Sequence, residues 1–194
     1  MIDPIPLDCP IRAETVWPRM DDERMAQFLG HWARARQGAV VARRSAIDPG
    51  AIIPCLPYVW IYRFDRNSGE FTCTLAGNEV NMAWRGSIVG KRQQDFMPPG
   101  IAATLHARFR AIVATPAILC TGLRGVPALI GPTPIGLGKV RRLVVPLVHD
   151  DGGPYGVFGI SIYTNDPLGQ IGAPVAPAVD AVMYDCRVLP TEPP

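Results

Sequence analysis

Long apolar runs, a surplus of one charge and paired cysteines are all missing from this sequence. Pro, Gly or Arg interrupts every apolar stretch before the roughly 18 residues that a membrane span requires. The formal net charge is only +2, so the clustered basic face that marks a nucleic-acid binder is not expected. The five cysteines (Cys9, Cys55, Cys73, Cys120 and Cys186) are odd in number and none stands at C-x-x-C spacing. Reduced thiols in a cytoplasmic protein are therefore expected. The opening MIDPIPLDCPIRAE lacks the basic-then-apolar order of a signal peptide, which points the same way.

Catalytic and metal motifs are scarce too. His31, His106 and His149 are the only histidines. They lie far apart, with no ligand-spaced partner, so no metal is expected. No G-x-S-x-G elbow, no G-x-G-x-x-G and no G-x-x-x-x-G-K-[ST] occurs. GLGK at 136–139 is not followed by the helix that would make it an anion site. Cys73 and Cys120 lack the Asn-Cys-Arg-Phe-Leu surroundings of a flavin-reactive cysteine and read as small core residues. The expectation is a protein that is not an enzyme. Arg34, Arg36, Arg43, Arg44, Arg124, Arg141 and Arg142 are scattered cations unless folding gathers them. If Arg43 and Arg44 met Arg141 and Arg142, they could hold a carboxylate or a phosphate.

What the chain does have is punctuation. It has 21 prolines and 19 glycines, and the prolines gather at both ends, so residues 1–20 and 166–194 read as irregular arms flanking a domain over 21–165. GPTPIGLG (131–138) is the one internal stretch with a linker's composition. Met25, Phe28, Leu29 and Trp32 recur at helical spacing and predict an amphipathic helix over 22–37, capped by Asp21 or Asp22 and ended near Gly38. A face of this kind needs a cover, and a second copy of the chain is expected to supply it.

IDPGAIIPCLP then leads into an aromatic strand over 58–65. Asp48-Pro49 opens a turn there, and Pro54 and Pro57 force extension. RNSG turns the chain into EFTCTLA, with Phe64 facing Phe71, Tyr62 facing Cys73 and Trp60 facing Leu75. Asn78 caps a short helix carrying Trp84, and 101–114 forms a second long helix. Strands follow at 117–123, 140–148 and 155–164, the last two joined by HDDGG. Two strands, helices, then three strands in meander order predict an α+β domain. Its five-stranded antiparallel sheet would carry helices over one face, with an extra N-terminal helix.

The run from HWARARQG through RRSAIDPGAIIPCLPYVWIYRF and FTCTLAGNEVNMAWRGSIVGK to RRLVVPLVHDDG resembles a proteobacterial family of stand-alone PAS-like proteins. The resemblance covers about 21–165 and implies the PAS fold and a sensory or regulatory role, with no catalytic residue to carry over. Two functions follow as expectations. One is a non-catalytic module that acts by homodimerisation through Met25, Phe28, Leu29 and Trp32, or by docking a signalling partner. The alternative is a small-molecule sensor, with a mostly apolar pocket between the sheet and helix 101–114. Its wall candidates are Trp60, Tyr62, Cys73, Trp84, Leu105, Phe109, Val145 and Ile160. The aromatic stripe of 58–64 is core or pocket wall. The ligand of such a pocket would be small and apolar or weakly acidic. The cofactor is unknown, and haem through the lone His106 is disfavoured.

Overall fold

The computed structural model describes residues 9–127, 137–165 and 178–192. Most of the linker-like stretch, together with residues 1–8, 166–177 and 193–194 of the two arms, lies outside them. The first long element, α1 (Glu23–Ala35), starts where Asp22 accepts hydrogen bonds from the Arg24 and Met25 amides. The short strands β1 (Ile11–Arg12) and β2 (Ala42–Arg43) flank it. Asp48 next caps a pair of 3-10 turns over Pro49–Tyr58, accepting from the Gly50 amide at 2.8 Å. These turns persist through Pro54 and Pro57 by kinking at Ile52, where extension was expected.

The hairpin β3 (Val59–Phe64) and β4 (Phe71–Ala76) follows, then α2 (Asn78–Ala83), α3 (Pro99–Ala114), β5 (Ala117–Pro127), β6 (Leu137–Val148), β7 (Pro154–Asn165) and β8 (Ala178–Asp185). The N-cap of α2 is Gly77 and not Asn78. A Cβ on Gly77 would stand 2.2 Å from the Leu56 carbonyl oxygen, so only glycine fits this crossing.

Among the described residues the sheet has eight strands in the order β1-β8-β5-β6-β7-β3-β4, with β2 against β6. The five expected strands are its antiparallel core. The arms, read as irregular, add to it: β8 pairs antiparallel with β5 over eight residue pairs, and β1 pairs parallel with β8. In the hairpin, Phe64 meets Phe71 and Tyr62 meets Cys73 as expected. A bulge at Ile61/Tyr62 then puts Trp60 opposite Ala76, not Leu75.

Helices cover both faces of the sheet, not one. On the first face, Met25, Phe28, Leu29 and Trp32 of α1 are between 0% and 5% exposed. They pack with Val59, Ile61, Leu143, Val145, Phe158 and Ile160. Phe28 meets Phe158 with ring centroids 4.5 Å apart, and Trp32 Nε1 donates to the Pro146 carbonyl at 3.0 Å. This corrects the expected homodimer contact, because the apolar stripe of α1 is consumed within the chain. The strands explain why: VWIYRF and LVVPLV are apolar on both faces, and a sheet so built needs two covers.

On the second face, α2 and α3 pack over Trp60, Tyr62, Phe71, Leu119 and Val144. Among the described residues, no helix is long and apolar enough to cross a membrane.

Candidate functional site

A pocket opens on this second face, with about 30 Å³ of space open to the centre of a water-sized sphere. Pro99 sits in the first turn of α3, where its lack of an N–H costs nothing. The helix then turns Leu105 and Phe109 toward the sheet. Phe109 stacks on Trp60 with centroids 5.5 Å apart and meets Tyr62 at 5.6 Å. Trp60 lies across β7 because residue 159 is glycine: a Cβ there would stand 2.2 Å from its ring. From that position the indole donates to Ser161 Oγ at 2.8 Å. Trp84, at the end of α2, closes another side and meets Phe96 edge-on at 4.9 Å.

Of the eight expected wall residues, Trp60, Tyr62, Trp84, Leu105 and Phe109 are brought together around this pocket. Cys73 faces the same way from β4 and is buried in that cluster, but it does not reach the wall. Val145 and Ile160 are corrected outright, since they point to the opposite face and pack against α1. Side chains alternate along a strand, so their neighbours Val144 and Ser161 line the pocket instead. Leu119, Thr121, Arg142 and Tyr163 complete the sheet side, and Val80, Ile88, Gln93 and Met97 the helical side. A signal for two of them was present in the sequence, as Arg142 and Ser161 are polar residues set inside apolar strands.

The wall is thus apolar with a polar arc. The Tyr62 hydroxyl and Gln93 Nε2 are buried with no hydrogen-bond partner among the described residues, each residue being only 3% exposed. Burial, reinforced by Cys73 and Tyr163, pushes the Tyr62 hydroxyl well above the usual phenol pKa, while Arg142 opposes the shift. Tyr62 is therefore a neutral donor.

Arg43, Arg44, Arg141 and Arg142 do not gather: Arg43 pairs with Val148, at the far end of β6 from Arg141 and Arg142. Arg141 and Arg142 project to opposite faces, and Arg141 pairs with Asp22 at 3.6 Å and Asp21 at 3.9 Å. His106 stands edge-on to Phe71 at 5.7 Å and is not part of the wall. His31 is buried and accepts from the Asp48 amide.

A family model for the PAS domain matches residues 20–162, from the residues before α1 to within β7, and so includes all the helices and every strand except β1, β8 and the last residues of β7. The chain belongs to the PAS domain family. Membership makes it a sensory or regulatory kind of module. Among solved structures, VqmA bound to DPO resembles this PAS domain protein at 16% identity and a TM-score of 0.45, over 57% of this chain and 53% of that one. A Vibrio cholerae VqmA dimer in the absence of target DNA matches at 16% identity and 0.45, over 57% and 49%. The chain spans about half the length of these VqmA chains. No curated protein matches it.

Proposed function

We propose that the chain is a non-catalytic PAS-type sensor that holds a small molecule between the sheet and α3. The observation that carries this reading is that two residues of the pocket wall, Tyr62 and Gln93, hold buried polar atoms, Oη and Nε2, with no partner among the described residues. Each such atom costs about 1–3 kcal/mol when nothing satisfies it. A core built only to be filled would have Phe and Leu in those places. The wall also supports a binding role over a catalytic one. No histidine or carboxylate lines it among the described residues, and the one serine hydroxyl already accepts from Trp60.

The five free thiols, three of them buried, support a cytoplasmic setting. Any contact that passes the signal on, to a second copy or to a signalling partner, uses a surface other than the buried stripe of α1.

A ligand-observed NMR screen of small fragments against the wild type, Val144→Phe and Leu105→Phe tests the reading. Both substitutions add volume to the wall. Fragments should bind the wild type and be lost from both variants, with circular dichroism unchanged. Binding that both folded variants retain would place the site elsewhere and overturn the proposal.

A further inference from the structure

We propose that the ligand of this pocket carries a carboxylate, received where Thr121, Arg142 and Ser161 stand side by side on three adjacent strands. The inference rests on the sensor reading and adds the chemistry of the ligand to it. Arg142 is in register with Thr121 of β5 and with Ser161 of β7, and all three line the cavity. The row forms one polar end. Two residues along each strand the wall becomes hydrocarbon: Leu119 and Val144 are in register, and the Trp60 ring covers Gly159 beside them. The pocket therefore has a head and a body.

The head is made of donors. Among the described residues Arg142 forms no hydrogen bond or ion pair with the protein, and no Asp or Glu lines the wall. A half-buried guanidinium facing an apolar cavity is costly without an anion, and a bidentate carboxylate is its best match. Tyr62 Oη and Gln93 Nε2 add two buried donors without partners. Ser161 uses a lone pair on the Trp60 N–H and keeps its own proton to give.

A cationic ligand would meet that same field with the wrong sign. A phosphate dianion asks for more charge than one wall guanidinium supplies. A monocarboxylate with a short apolar body matches both ends.

The test uses acetate, butyrate and benzoate, each compared with its primary amide, by ligand-observed NMR titration at neutral pH. At least one acid should bind about tenfold or more tighter than its amide, as a charge-assisted hydrogen bond implies. Arg142→Met should erase that preference, Arg142→Lys should keep part of it, and Tyr62→Phe should weaken the acid more than the amide. Circular dichroism checks that each variant is folded. If amides bind as well as acids and Arg142→Met changes nothing, the carboxylate inference is wrong and the sensor reading stands. If neither acids, amides nor the wider fragment set bind, both fail together.

Discussion

The imidazole of His31 is 6% exposed, and its Nε2 accepts from the Asp48 N–H at 3.2 Å. That bond requires the neutral ring. Burial first, then the nearby Arg34 charge, lowers its pKa below the usual histidine value, with Asp48 acting the other way. The folded state therefore binds the proton less readily than the unfolded chain. The stabilisation is complete above about pH 6.5, the unfolded value, and is lost as pH falls through the lower folded value. Melting temperature should fall in that window, and His31→Gln should flatten that part of the profile. A wild-type curve identical to that of the variant below pH 6.5 would show that the Asp48 contact contributes nothing. Sequence could not reveal this site. His31 lies beside the apolar stripe of α1, and its burial depends on the Pro49–Tyr58 turns folding over it, a contact between segments that no local pattern encodes.

At the scale of elements, α1 was legible as a helix and misread as a surface. Its place in the chain and a cap at Asp21 or Asp22 follow from spacing and capping chemistry, and the structure selects Asp22. What covers its stripe depends on the sheet. With α1 as half of a core, Phe28→Ala should cost about 3–5 kcal/mol, because a fully buried ring leaves a cavity behind. Denaturant titration should show this loss, with no change in the mass of the assembly by sedimentation. A lighter assembly with unchanged stability would restore the intermolecular role. The strands hid their polarity in the same way. All five central strands were found, but β6 and β7 are apolar on both faces. Their sequences therefore give no alternation to say whether Val144 or Val145 faces α3, and one residue of parity separates pocket wall from opposite core. The bulge at Ile61/Tyr62 shifted Trp60 for a related reason, since no glycine or proline marks it.

For the whole molecule, the C-terminal arm is structural. Met183 sits in the cluster beneath α3, while Cys186 and Leu189 sit in the cluster beneath α1. Ending the chain at Asn165 should leave β5 paired with β6 alone, expose an unpaired edge and abolish a cooperative melt. A truncated chain melting at the wild-type temperature would return the arm to an accessory role. The proline count of the arm concealed β8, whose own eight residues, AVDAVMYD, contain none.

One property of the sheet reaches further. Along β6, Arg142 and Val144 belong to the pocket while Leu143 and Val145 belong to the α1 core. Consecutive residues are joined by a rigid peptide plane, so the two compartments share a wall one backbone thick. On the proposed sensor reading, a guest that shifted the β6 backbone at Arg142 would shift Leu143 with it. If the pocket is the sensor proposed above, such a backbone shift would reach the far side of the sheet with no hinge and no long relay.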